Sequence, residues 1–209
     1  MSSALLESPP RSRSSVVDLT MPPKRGEKRV LMDGMAWSDY DLFWQAAERR
    51  GGYRVTYLDG QIEFMFPSYD HELRKSRLGG LLETYCHENE VDFFEHGSTT
   101  IREELKAAGK EPDESYCFAK QKKFPDLIIE VAITSGGIDT LEIYRRWAIP
   151  EVWVWQRDRL NVFVLKRGRY QPATKSLHLP ELDLDLLASC ASIQNGLQAR
   201  KKFLAGLKK

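Results

Sequence analysis

Two acidic residues in the middle of the chain have the type and spacing to do chemistry together. Glu111-Pro112-Asp113 leads into the strand-like SYCF, and Glu130 interrupts PDLIIEVAI, a nearly continuous apolar run. If a turn near Lys120–Gln121 joins these segments as antiparallel strands, Asp113 stands opposite residue 128 or 129. Facing residues lie about 5 Å apart, so Asp113 and Glu130 can converge on one point. Two carboxylates at one point repel and are costly to bury. A hard divalent cation relieves that cost, and Mg²⁺ is typically held by one or two carboxylates plus water and phosphate oxygens. Such an ion activates water and steadies the charge that builds during displacement at phosphorus, and the backbone carbonyl of Val131 would add a neutral oxygen ligand. Acidic pairs at strand edges are also common on solvated surfaces. What separates Glu130 from that ordinary case is a charge in a run that otherwise reads as buried, a local conflict that concentrates at functional sites. Asp126 shares the parity of Glu130 but lies about 13 Å away along the strand. It is expected to cap or pair at the strand start.

The elements needed to position these residues follow from patterning. Trp37, Tyr40, Phe43, Trp44 and Ala47 recur at helical spacing, with Ser38 and Asp41 resembling a capping box. YRVTYLDGQIEFMFP reads as a hairpin turning at Asp59-Gly60. The longest helix is expected over 70–90, with Leu78, Leu81, Leu82 and Tyr85 as its apolar face. A strand is expected over 91–101, then a charged helix or loop through REELKAAGKEPDES. After the two central strands come a short helix over 139–147, the strands EVWVW and LNVFVL, and a helical, basic C-terminal tail. This predicts an α/β class with an α-β-β-β-α-β core, preceded by a helix and hairpin and followed by further strands. The expected organisation is a disordered arm over 1–30, one domain over 31–180 and a tail over 181–209.

Composition narrows the partners. A net charge of +1 is not that of a strongly basic protein, although a local basic stripe suffices for nucleic acid. Cys86, Cys117 and Cys190 are odd in number and scattered, which favours a reducing, cytoplasmic setting and buried thiols over disulfides. No stretch has the length of a membrane span, and the Ser/Pro/Arg-rich start does not read as a signal peptide. The histidines lack zinc-ligand spacing.

The segments YRVTYLDGQIEFMFPSYDHE, HGSTTIREE, GKEPDESYCF, PDLIIEVAITSGGID and LEIYRRWAIPEVWVW, in this order, resemble the Uma-type family of bacterial restriction-endonuclease-like proteins over about Met35 to Leu165. The resemblance implies the PD-(D/E)XK nuclease fold. It carries Pro112-Asp113 onto the PD position, Glu130 onto the acidic position and Ala132 onto the lysine position. In this family the lysine has moved to the following helix, where this chain has Thr140, a departure that removes an electrostatic stabiliser worth about 10²–10³ in rate. Arg145, Arg146 and Lys75 are the expected substitutes. The resemblance also implies Glu72, at the start of the long helix, as a further metal ligand, although an acidic residue there equally suits the helix dipole.

Other residues have both a functional and a structural reading. His71 is expected either to touch phosphate or to make a structural hydrogen bond. Glu63 either lines a cleft or follows in/out alternation, and Tyr144, one turn beyond Thr140, either borders the site or packs in the core. Trp153 and Trp155 read as sheet packing rather than base-stacking groups. The expected activity is Mg²⁺- or Mn²⁺-dependent hydrolysis of DNA, with a two-fold homodimer expected by analogy if both strands are cut. The alternative is a weakened nuclease-fold protein that binds nucleic acid or a protein partner.

Overall fold

The computed structural model describes residues 26–133 and 137–208. Helix α1 (Trp37–Arg50) starts at Ala36, whose backbone N–H is capped by the Asp39 carboxylate at 2.8 Å. The expected box of Ser38 and Asp41 is therefore displaced: Asp41 instead pairs with Arg102 at 2.6 Å. Strands β2 (Arg54–Leu58) and β3 (Gln61–Phe66) form the expected hairpin. Asp59 and Gly60 both have positive φ, 46° and 87°, as a two-residue turn matched to strand twist requires. Order begins earlier than the patterning suggests. Strand β1 (Lys28–Met32) pairs antiparallel with β3, and Glu27 is 8% exposed. The expected disorder of the arm otherwise falls on residues 1–25, outside the described residues.

Helix α2 (Tyr69–Glu88) is capped by Ser68. The single strand expected over 91–101 is instead two, β4 (Phe93–Glu95) and β5 (Ile101–Glu103), lying in different sheets. The charged stretch that follows contains a 3-10 turn (Glu104–Lys106) and strand β6 (Ala108–Lys110). Strands β7 (Glu114–Phe118) and β8 (Leu127–Ala132) pair antiparallel, and helix α3 (Thr140–Arg146) crosses to β9 (Glu151–Gln156), which runs parallel to β8. Strands β10 (Arg159–Lys166) and β11 (Arg169–Ala173) complete the second sheet, and α4 (Leu184–Ala191) and α5 (Gly196–Leu207) close the chain.

Two sheets result, ordered β1-β3-β2-β6-β5 and β11-β10-β9-β8-β7-β4. One face of the second sheet packs Leu127, Ile129, Val131, Trp153 and Trp155 against Leu78 and Leu82 of α2, Leu187 of α4 and Phe203 of α5. The C-terminal helices thus belong to the main core, although the sequence reads as a basic tail. On the opposite face, Ile128 and Val152 meet Ile143, Tyr144 and Trp147 of the α3 region and Leu58, Ile101 and Ala108 of the first sheet. The outer face of the first sheet is covered by α1 through Tyr40, Ala47, Val55, Tyr57 and Ile62. The three cysteines are free and buried, and among the described residues no helix is long and apolar enough to cross a membrane.

The buried carboxylate of Glu151 ties the C-terminal connection to this core. It accepts hydrogen bonds from the Trp153 indole at 2.6 Å, the Ser176 hydroxyl at 3.1 Å and the Leu177 N–H at 3.0 Å.

The seating of α1 on β6 leaves no room at Gly109, where an added Cβ would overlap the Tyr40 ring and hydroxyl. Gly109→Ala should therefore destabilise the protein by about 1–3 kcal/mol through overpacking, read as a lower midpoint in urea unfolding with an unchanged slope.

Candidate active site

The register of the second sheet decides how the two central carboxylates meet. Glu114 faces Ile129 and Tyr116 faces Leu127, so one further step brings Asp113 opposite Glu130 itself. The position differs by one or two residues from a turn centred at Lys120–Gln121. Asp126 explains the shift: it accepts from the Phe118 N–H at 2.9 Å and pairs with Lys122 at 2.5 Å, closing a wider loop. This matches its expected structural role.

Asp113 is 1% exposed. One oxygen accepts from the Arg54 guanidinium of β2 and lies 2.9 Å from His71 Nε2 of α2, and the other accepts from the Val131 N–H at 2.6 Å. His71 is fully buried, and its Nδ1 lies 2.6 Å from Glu27 Oε1. Histidine therefore bridges two carboxylates. Burial alone would raise the Glu27 pKa, but hydrogen bonds from His71 and Arg29, with the Arg29 charge, outweigh it and hold the carboxyl at about 2. Arg54 also lies 3.7 Å from Glu72 and 3.4 Å from Glu111, so one guanidinium gathers three carboxylates at the end of the sheet.

Glu130 projects to the α3 side. It accepts from the Tyr144 hydroxyl and pairs with Lys110 Nζ at 3.2 Å. Complete burial raises the Tyr144 pKa well above its ordinary value, reinforced by the Glu130 charge, so the phenol remains a donor. Residues facing one another across antiparallel strands share a face. Thr56 faces Glu63, and Tyr57 faces Gly109, so Thr56 neighbours Lys110. Glu63, Thr56 and Lys110 thus form a row on the inner face of the first sheet. Glu63 pairs with Arg29 at 2.6 Å and accepts from the Ile138 N–H at 3.3 Å. Burial works to lower the Arg29 pKa, but the charges of Glu63, Glu27 and Glu130 raise it overall. The space between the sheets is therefore crossed by charges of alternating sign.

The structure brings together Asp113, Glu130, Val131, His71, Glu63 and Tyr144, with Glu72 on the exposed rim. Thr140 opens α3, and its hydroxyl donates to the Ile138 carbonyl at 3.5 Å. Two of the cations expected to replace a lysine there are engaged elsewhere: Arg145 is bound to Glu142, and Arg146 to Glu142 and Asp59. Sequence reasoning missed Lys110, Arg54, Glu27 and Arg29. For Lys110 a signal existed, its adjacency to Glu111-Pro112-Asp113 in a segment containing Gly109. The other three depend on pairings between distant strands. Among the described residues, no group of three or more His, Cys, Asp and Glu side chains is arranged to hold a metal ion.

A mixed α/β architecture in which helix α3 crosses between the parallel strands β8 and β9, with β7 antiparallel on the other edge of β8, is that of the restriction-endonuclease-like class. The chain belongs to the Uma2 family, described as "Putative restriction endonuclease", whose pattern matches residues 37–199. No curated protein matches it at a significant level of similarity.

The depressed Glu27 pKa has a direct consequence for stability. Its folded value of about 2 lies below the ordinary 4.5, so the Glu27 carboxylate contributes its full stabilisation above about pH 4.5 and loses it as the pH falls through about 2. Glu27→Gln should lower stability at pH 7 and flatten the loss between pH 4.5 and 2, measured by urea unfolding across that range.

Proposed function

We propose that the protein is a metal-dependent endonuclease that hydrolyses phosphodiester bonds in DNA. The observation that carries this reading is that Asp113, one residue before β7, accepts from the Val131 N–H beside Glu130, and both carboxylates are buried. Their chemistry fits a hard divalent cation such as Mg²⁺ or Mn²⁺. Both offer oxygen donors, and Mg²⁺ needs only one or two protein carboxylates, so two suffice without a third acidic group. Arg54 beside Asp113 and Lys110 beside Glu130 point the same way, because each carboxylate has drawn a positive charge from the first sheet. In this reading Asp113, Glu130 and the Val131 carbonyl hold the ion, with Glu72 assisting from the rim.

When bound, the ion would lower the pKa of a water and offset charge on the phosphate. The protein supplies the rest. Val131 N–H and His71 fix the Asp113 carboxylate, and Glu27 fixes the His71 ring from behind. The Tyr144 hydroxyl fixes Glu130. Arg54, at 11% side-chain exposure, holds Asp113 and reaches towards the half-exposed Glu72 at the rim. A two-fold dimer would suit cutting of both strands, and the free cysteines suit a cytoplasmic setting.

A second reading has its own observation. Both oxygens of Asp113 already accept hydrogen bonds from protein donors, and the residue is almost inaccessible. With Thr140 in place of a cation, this favours a protein that binds nucleic acid without cutting it.

Nicking of supercoiled DNA separates the two. The wild type should nick with Mg²⁺ or Mn²⁺ and not with EDTA, and Asp113→Asn should be slower by at least about a hundredfold. Mn²⁺ at a hundred times its Kd should stabilise the wild type by about 2.7 kcal/mol, with little effect on Asp113→Asn/Glu130→Gln. Equal nicking by wild type and Asp113→Asn would remove the assignment. Salt-dependent DNA binding without nicking would favour the second reading.

A further inference from the structure

We propose that Lys110 is a catalytic residue, the group that places a fixed positive charge against the phosphate as it reacts. The inference rests on the nuclease reading above and assigns a role that nothing in the neighbouring helix supplies. Lys110 Nζ lies 3.2 Å from Glu130 Oε2, and its side chain is only 9% exposed. An ammonium so withdrawn from water needs compensation. The sole ion-pair partner of Lys110 among the described residues is Glu130. A lysine has three N–H donors, so capacity remains for a phosphate oxygen brought to the same carboxylate.

The other cations of the site are differently committed. Arg29 is divided between Glu27 and Glu63, and Arg54 among Asp113, Glu72 and Glu111. Thr140 carries no charge and donates to a backbone carbonyl. The backbone under Lys110 is firmly placed. Strand β6 is paired on one side with β2 and on the other with β5, and Gly109 fits tightly against Tyr40. Lys110 therefore reaches Glu130 from the first sheet, across the gap from α3.

The step it serves is simple in its balance. A lone pair of the water oxygen forms a bond to phosphorus while the bond from phosphorus to the leaving sugar oxygen breaks, its electron pair staying on that oxygen. One proton of the water ends on the leaving oxygen as a hydroxyl, and the other goes to the new phosphate monoester or to solvent. Negative charge concentrates on the phosphate oxygens midway, where a pre-placed ammonium in a poorly hydrated site is most effective.

The test compares Lys110→Gln with wild type and with Lys110→Arg. Glutamine removes the charge while leaving an amide able to donate to Glu130, and circular dichroism checks that each variant is folded. Single-turnover nicking by Lys110→Gln should fall about 10²–10³-fold, and Lys110→Arg should retain most activity. Adding Thr140→Lys to Lys110→Gln should recover activity, by returning a charge from α3. Mn²⁺ titration by calorimetry supplies the second readout. Removing a like charge beside Glu130 should leave Mn²⁺ affinity equal or several-fold higher.

Wild-type nicking rates in Lys110→Gln would overturn the role of Lys110 and leave the nuclease reading standing. Loss of nicking together with loss of Mn²⁺ affinity would also overturn it, by making Lys110 a support for Glu130. A wild type that neither binds Mn²⁺ nor nicks would remove the nuclease reading and this inference with it.

Discussion

A carboxylate almost sealed from water is the constraint on which this structure turns. Asp113 is 1% exposed, and its charge is met by a guanidinium from β2, an imidazole from α2 and a backbone N–H from β8. Breaking a buried charge pair by removing one partner typically costs about 3–5 kcal/mol, so each of these elements is tied to the others through one side chain. Glu130 repeats the device one strand over, joining β8 to α3 through Tyr144 and to the first sheet through Lys110. Apolar packing builds the three core clusters, but the polar interior fixes how the two sheets face each other.

The near-neutral composition takes on a different meaning in this light. The total charge is +1, yet the interior contains a succession of opposed charges from Glu27 and Arg29 through Glu63 to Lys110 and Glu130. Electrostatics here is a local matter of alternation in a poorly hydrated gap, where interactions are stronger than at the surface. The fully buried tryptophans contribute to packing, as their alternation with valine suggests, and the Trp153 indole is bonded to Glu151. The aromatic side chains of that strand thus lie in the core and not at the site.

What could be read in advance followed local rules. The Asp59-Gly60 turn, the long helix, the apolar strand around Glu130 and the short crossover helix all carry periodic or turn chemistry within a few residues. What escaped lacked such a signature. Ala-Gly-Lys has little intrinsic preference for a strand, and β6 exists because β2 and β5 flank it. Glu27 and Arg29 sit in a polar stretch that buries almost nothing by itself, and they become structural only through β3 and α2. The pair Asp113 and Glu130 was legible because adjacent strands joined by one loop place it. Lys110, Arg54 and Glu27 reach the same site from strands or segments whose pairing partners are remote in sequence.

The division of one stretch of chain between two sheets has a mechanical consequence. Strand β4 ends at Glu95 in the second sheet, and β5 begins at Ile101 in the first. The link between them is clamped to β7: the N–H groups of His96 and Gly97 donate to the Ser115 carbonyl at 2.8 and 3.2 Å, and the Ser115 hydroxyl donates to the Gly97 carbonyl at 2.7 Å. Five residues therefore act as a spacer bar that sets the distance between the sheets, bolted two positions from Asp113. Together with the three-residue link from β6 to β7, this bar gears one sheet to the other, and the jaws so joined are those that carry Lys110 and Glu130.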